Sequence, residues 1–483
     1  MNKPVNPSIE QSKAQMQGLL QLQKRANLAK GPPDARLRKD RLTRCIALLL
    51  THETEFLDAL TADFGTRSRD LSRFADMAAA IGPLKHARAS LDKWMAPKRR
   101  KVTPAALGVF GARAEVRYQP KGVVGVISPW NFPVSLAFDA IAGAFAAGNR
   151  VMLKPSEFTP ETSALLARTL DLYFDEDEIA VILGGPEVGA AFAGLAFDHL
   201  IFTGATSVGR HVMRAAAENL TPVTLELGGK SPVVIGRSAD LAKTAARVMN
   251  GKTMNAGQIC LAPDYILAPR DSVDGFVAEA KASVAKMFPT IKDNGDYTAM
   301  INQRHFDRVR GLISDAKAKG AEIIEINPAN EDFSQQEHRK IPPTLILNAT
   351  DDMSVMQEEI FGPVLPIRTY TAIDDAIREI NARPRPLALY YFGDDNAESE
   401  ALLNRTHSGG VTINDVIFHF AMDDLPFGGV GASGMGAYHG HRGFIEFSHE
   451  KAIYRQISSE LLAMMRPPYG ETFRKQIAAR LKP

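Results

Sequence analysis

At 483 residues the chain exceeds what one hydrophobic core ordinarily supports, so two or three packed units are expected. A hydrophobic content of 45% beside 23% charged residues excludes a disordered or fibrous chain, and a formal charge of only +2 argues against a nucleic-acid binder. Two cysteines, Cys45 and Cys260, exclude a disulfide framework and point to a reducing, cytoplasmic setting.

The first seven residues are polar and proline-broken, without the apolar core of a secretion signal. Asp34 is a helix cap for a segment with Leu37, Leu42, Ile46, Leu49 and Leu50 at helical spacing. A second helical run spans 71–94 and stops before Pro97. Lys98-Arg99-Arg100-Lys101 reads as a solvated turn, because no aromatic residue interleaves it as in a nucleic-acid patch. Residues 114–119 alternate apolar and polar, as a half-exposed strand does, and Pro120-Lys121-Gly122 leads into an apolar run at 123–127. The expectation is a hairpin, a projecting arm. The apolar stretch 123–148 is interrupted by Pro129, Asn131, Pro133 and Asp139, whereas a membrane span needs ~20 predominantly apolar residues.

Strands and helices then alternate. Strands are expected at 123–127, 150–153, 180–183, 199–203 and 223–227, with helices at 134–147, 160–173 and 207–218. A second series begins at 232–236 and includes 341–348 and 388–392. This is the pattern of an α/β protein with doubly wound, mostly parallel sheets. Gly228-Gly229 reads as a crossover between domains, and the glycine cluster 428–436 as the return crossover. The acidic run Asp175-Glu176-Asp177-Glu178 reads as solvent-exposed linkage rather than a metal site.

Cys260, in Gly257-Gln258-Ile259-Cys260, suits a nucleophile that attacks an aldehyde carbonyl and holds the product as a thioester. Cys45 lies in an apolar helical run and reads as a small buried hydrophobe. Glu226 stands at a strand exit before two glycines, which suits a general base for thioester hydrolysis. Asn131, stiffened between Pro129 and Pro133, offers an amide N–H to an oxyanion. The loop Phe202-Thr203-Gly204-Ala205-Thr206-Ser207-Val208-Gly209 joins a strand to a helix whose N-terminus can receive phosphate. Its glycines, Gly204 and Gly209, do not make the three-glycine fingerprint. Lys154 and Glu157 suit the adenosine ribose, and Glu157 would repel a 2′-phosphate, favouring NAD over NADP. No Gly-x-Ser-x-Gly elbow, zinc helix or Walker A loop occurs, and His439, His441 and His449 lack companion ligands, so no metal is expected.

Together these segments resemble the aldehyde dehydrogenase superfamily, in particular its class 3 branch and the bacterial coniferyl aldehyde dehydrogenases. The resemblance rests on Pro129-Trp130-Asn131-Phe132-Pro133, Lys154-Pro155-Ser156-Glu157, Leu225-Glu226-Leu227-Gly228-Gly229-Lys230, Gly257-Gln258-Ile259-Cys260, Glu359-Ile360-Phe361-Gly362-Pro363 and Pro426-Phe427-Gly428-Gly429. It implies a dinucleotide-binding domain over 1–228 with arm strands near 110–122, a catalytic domain over 229–428, and a return segment with a C-terminal oligomerisation arm over 429–483. It implies Cys260 as nucleophile, Glu226 as base and Asn131 as oxyanion donor, with the Cys260 backbone N–H as second donor. It adds Glu359 and Phe361 as contacts to the nicotinamide ribose and ring, and Trp130 beside the cofactor. Phe132, Ile259 and Ala432 stand where class 3 members often carry tyrosine, threonine and asparagine. Phe132 and Ile259, with Phe418 and Phe420, are candidates for the substrate tunnel. The activity implied is NAD(P)-dependent oxidation of an aromatic or apolar aldehyde by a homodimer. The rival readings are an acylating enzyme that passes the thioester to coenzyme A, and a non-catalytic protein on the same fold.

Overall fold

The computed structural model describes residues 8–481 apart from 459, 461 and 462. Short runs such as Val123-Val124-Gly125-Val126-Ile127 are apolar at every position, so they fold as strands covered on both faces. Among the described residues, six strands form one sheet in the order Gly434–Met435, Val223–Glu226, His199–Thr203, Val123–Ile127, Arg150–Lys154 and Ile179–Val181. The Gly434–Met435 strand runs antiparallel to Val223–Glu226; the other pairings are parallel. Helix Ile9–Lys30 contributes Met16, Leu19 and Leu20 to a core with Val123, Met152 and Leu200.

A seven-stranded sheet follows the order Glu322–Glu325, Thr344–Leu347, Val364–Tyr370, Tyr265–Pro269, Pro232–Ile235, Ala388–Phe392 and Gly410–Ile413. Its first strand is antiparallel and the rest are parallel. Both sheets belong to one compact unit, the residues up to Trp94 with Pro120–Ser448. The α/β architecture with doubly wound, mostly parallel sheets is thus present. At the glycine cluster, Gly434 lies opposite Glu226 at the sheet edge.

Met95–Gln119 and the residues from His449 onward form a second unit. It is built around a sheet of Lys98–Arg100, Arg113–Pro120 and Ser448–Arg455, where Arg455 Nη1 donates to Glu115 Oε1 at 2.9 Å.

Several expectations are corrected. Arg113–Pro120 does not form a hairpin with Val123–Ile127; it pairs with Lys98–Arg100, and the basic run expected as a turn is an edge strand. Charged residues suit an exposed edge, while the all-apolar 123–127 run needs burial. The helix expected over 71–94 is broken by a π-helical segment, Arg73–Ala78, and resumes as Ala79–Met95 with Pro83 inside it. Helix Pro186–Ala193 was not anticipated. The acidic run is not simply solvated: Glu178 binds Arg41 and Arg44, each at 2.8 Å, with its side chain only 12% exposed. Asp34 does cap its helix, accepting from Leu37 N at 2.8 Å, and Cys45 is fully buried.

Candidate active site

Strand register brings the candidates to shared edges. Ile127 lies opposite both Lys154 and Phe202, and Thr203 lies opposite Glu226. The carboxyl edge of the six-stranded sheet therefore carries Asn131, Lys154, Gly204 and Glu226, the edge where open parallel sheets bind ligands. In the seven-stranded sheet, the neighbouring strands Pro232–Ile235, Tyr265–Pro269 and Val364–Tyr370 are entered from Gly228-Gly229, Cys260 and Glu359 respectively. Only residues 227–231 separate Glu226 from Pro232, so the two edges must meet.

The turn before Cys260 is unusual in its backbone. Helix Leu241–Thr253 ends, and Asn255, Ala256 and Gly257 follow with φ of 49°, 52° and 71°. Left-handed non-glycine residues are strained and need compensating contacts. Asn255 Nδ2 donates to the Asn131 and Gln258 carbonyls, both at 3.2 Å. Fully buried Gln258 donates to the Asn255 and Ala299 carbonyls at 2.9 and 3.1 Å, and accepts from Ile301 N at 3.0 Å. A Cβ on Gly257 would overlap the Gly362 carbonyl oxygen. Gly257→Ala is therefore expected to cost roughly 1–3 kcal/mol of stability, since neither the φ nor the space suits a side chain. Urea unfolding checks this, and an unchanged midpoint would contradict it.

Asn131 is buried, and its Nδ2 donates to the Gln258 carbonyl at 3.2 Å, so the asparagine and the cysteine turn are tied together directly. An amide carries two hydrogens, which leaves the second for another acceptor. Glu226 is 3% exposed, and neither carboxylate oxygen has a hydrogen-bond partner among the described residues. Burial, then the charges of Asp139 and Glu446, hold its pKa well above the usual carboxylate range. Asp139 Oδ2 lies 2.6 Å from His439 Nε2, and Glu446 accepts from Thr224 Oγ1 at 2.8 Å. Cys260 is half-buried. Burial, with the charges of Glu359 and Glu226, pushes its thiol up to about 12, so it rests protonated at neutral pH.

The cofactor candidates are arranged as follows. Lys154 is buried and donates to Glu157 Oε2 at 3.0 Å and to the Pro155 carbonyl at 2.9 Å. Helix Thr206–Ala217 starts after Ala205 with no side-chain cap, and Ser207 is exposed on its first turn. A Cβ on Gly209 would crowd the Leu227 side chain at 2.7 Å, so glycine lets this helix lie close to the sheet edge; on Gly204 it would strike the Phe202 ring at 2.6 Å. Glu359 has one carboxylate oxygen without a partner, and a Cβ on Gly228 would overlap its carboxylate. Burial, then the Asp264 charge, raises Glu359 to about 8 against the opposing Gly229 N–H, Lys230 and Arg308. Phe361, at φ 47°, meets Trp130 edge-on with ring centroids 5.3 Å apart. An uncapped helix N-terminus, a buried lysine paired with the exposed Glu157, and a buried carboxylate with one oxygen unpartnered are groups that fit a dinucleotide.

The tunnel candidates are not brought together uniformly. Phe132 and Ile259 are buried, whereas Phe418 is 56% exposed. Phe420 packs on Phe427 and His439, at 4.9 and 4.7 Å between centroids. Among the described residues no group of three metal-ligating side chains occurs. No described helix is long and apolar enough to cross a membrane. Sequence reasoning missed Asp139, Asp264, Lys252, Arg67 and Asp76. Asp139 had a legible signal, one acid inside an otherwise apolar helix, Ser135–Ala147. Lys252 is fully buried with no hydrogen-bond partner for its amine among the described residues, and burial lowers it to about 8.

A half-buried thiol, an amide bonded to the turn before it and a buried carboxylate, carried by mostly parallel sheets, are the groups a cysteine-dependent α/β dehydrogenase requires. The aldehyde dehydrogenase family pattern matches residues 15–453. The chain is 63% identical over 484 aligned positions to a probable coniferyl aldehyde dehydrogenase of Caulobacter vibrioides, with 100% of each covered. It is 56% identical to the coniferyl aldehyde dehydrogenase of Pseudomonas sp. strain HR199, over 95% of this chain and 94% of that one. A solved Staphylococcus aureus AldH in a substrate-bound state superposes with a TM-score of 0.89 at 36% identity, covering 99% of this chain and 100% of that one. The chain belongs to the aldehyde dehydrogenase family and is an NAD(P)-dependent aldehyde dehydrogenase. Class 3 members are among its further relatives.

Proposed function

We propose that the chain oxidises an aromatic or apolar aldehyde, with coniferyl aldehyde as the leading substrate, to the carboxylic acid through a thioester on Cys260. The observation that carries this reading is the bond from Asn131 Nδ2 to the Gln258 carbonyl, which holds an oxyanion donor beside the cysteine turn. The Cys260 sulfur, once deprotonated, adds to the carbonyl carbon, and the oxygen's new charge is met by Asn131 Nδ2 and the Cys260 backbone N–H. Bound nicotinamide supplies the acceptor for the two electrons and hydrogen that leave the thiohemiacetal carbon. Glu226 then takes a proton from water, whose oxygen attacks the thioester and releases acid and thiol. A partly dehydrated carboxylate with raised pKa is suited to that step. Glu226 in this position also argues against the coenzyme A-dependent alternative, because hydrolysis competes with thiol capture.

Lys154 and Glu157 would bind the adenosine ribose, with Glu157 favouring NAD over NADP; Gly204, Ser207 and Gly209 would border the phosphates. Glu359 would hold the nicotinamide ribose, with Phe361 and Trp130 against the ring. On this reading 1–228 serves dinucleotide binding, 229–428 catalysis, and 429–483 the return and oligomerisation arm of a cytoplasmic homodimer. The aromatic preference is supported by the names of the relatives and by buried Phe132 and Ile259. Coniferyl aldehyde is expected to exceed a medium-chain alkanal in kcat/KM by roughly tenfold or more, the scale of a few buried apolar contacts. Steady-state comparison decides it; faster turnover of the alkanal would reject the aromatic preference.

A further inference from the structure

Beneath the Asn131 turn lies a buried ion pair that the reaction itself does not use. Arg67 and Asp76 have fully buried side chains, with Nη2 to Oδ2 at 2.7 Å. Arg67 Nη1 also donates to the Asn131 carbonyl at 3.1 Å. Asp76 Oδ1 accepts from Val134 N at 3.1 Å and Ser135 N at 3.2 Å, at the start of helix Ser135–Ala147. The guanidinium lies 4.5 Å from the Phe64 ring centroid and 5.0 Å from that of Phe132. One side of the Asn131 turn is thus fastened through its carbonyl and the other through the helix it leads into. Asp76 sits in the π-helical segment Arg73–Ala78, an irregularity that recurs where helices serve function.

A buried ion pair is a poor device for stability alone, because desolvation offsets most of its attraction. Its use here is geometric. A planar guanidinium held by a carboxylate and by two aromatic rings cannot shift, so the carbonyl it grips cannot shift either. The amide of Asn131 has one hydrogen committed to the Gln258 carbonyl, and small rotations of the turn would redirect the other. We propose that the Arg67–Asp76 pair is a positioning element for the oxyanion donor, setting the rate of carbonyl addition without touching substrate or dinucleotide. The proposal rests on the reading of Asn131 as that donor.

The test is a double-mutant cycle in the full-length enzyme, joining Arg67→Lys with Asn131→Ala. Its readouts are the single-turnover rate of reduced nicotinamide formation, the KM for dinucleotide, and the melting temperature. Arg67→Lys is expected to slow the single turnover by roughly 10- to 100-fold, the scale of an ångström's misplacement. In the Asn131→Ala background the same change is expected to cost less than about twofold, with the dinucleotide KM shifted by no more than that in either background. A merely structural role would lower the rate equally in both backgrounds, and that additivity would overturn the proposal. So would a wild-type rate in Arg67→Lys. An Asn131→Ala enzyme with wild-type turnover would instead remove the oxyanion assignment itself, and the proposal with it. If Arg67→Lys does not fold, Asp76→Asn, which keeps an oxygen for the two helix N–H groups, takes its place in the cycle. Failure of both to fold would assign the pair to folding and reject the positioning role.

Discussion

Cys260→Ala is expected to abolish formation of reduced nicotinamide, lowering turnover by ~10⁴-fold or more, as loss of a covalent nucleophile does. No second thiol can substitute. Cys45 is fully buried, and burial raises its pKa far above the ordinary range. Dinucleotide affinity should persist, because the cofactor candidates Lys154, Glu157 and Glu359 are untouched. Fluorescence titration with NAD and a steady-state assay, run on the same preparation, separate the two properties. Undiminished turnover would end the thioester reading. In the wild-type enzyme the thiol is held up to about 12, so the single-turnover rate should climb with pH through the alkaline range. A rate independent of pH from neutral upward would mean that another group relieves that penalty.

Glu226→Gln should separate the two halves of the reaction. Glutamine fills the same space but cannot take a proton from water, so acylation should survive as a burst of reduced nicotinamide. Subsequent release is expected to slow by roughly 10²–10⁴-fold, the usual contribution of a general base. Stopped-flow absorbance checks this, and a linear time course at wild-type rate would count against the role. The same substitution has a stability signature. The folded-state pKa of Glu226 is raised above its unfolded value, so its neutral form is favoured in the fold and stability is lost as pH rises through the raised value. The glutamine side chain of the variant has no proton to lose and carries no such ionisation penalty. The melting temperature of Glu226→Gln relative to wild type should therefore increase between pH 5 and pH 9. A difference that is constant with pH would show that the carboxylate ionises freely.

Much of the crevice was legible in the chain. The strand at His199–Thr203 and the helix at Pro160–Tyr173 follow from apolar periodicity and a proline at the helix start. Cys260, Glu226 and Asn131 could be chosen because thiol, carboxylate and amide chemistry is local to the residue. Asp76 could not be chosen. Its value lies in a π-helical segment and in partners at Arg67, Val134 and Ser135, none of which periodicity reveals. Alternation marks the Arg113–Pro120 strand but not its partner, because adjacency in sequence favours a hairpin while burial sends Val123–Ile127 into another sheet.

What the sequence by itself determined is the alternation of buried strands and amphipathic helices, the turn chemistry, and the reactive groups at strand ends. These depend on neighbours a few residues away and on side-chain type. Only the tertiary structure decided the protonation of Cys260 and Glu226, the fastening of Asn131, and the necessity of Gly257. Each of these depends on desolvation or close contact with residues far away in the chain, such as Asp139, Gln258 and Gly362, and neither dielectric nor distance is written in residue order.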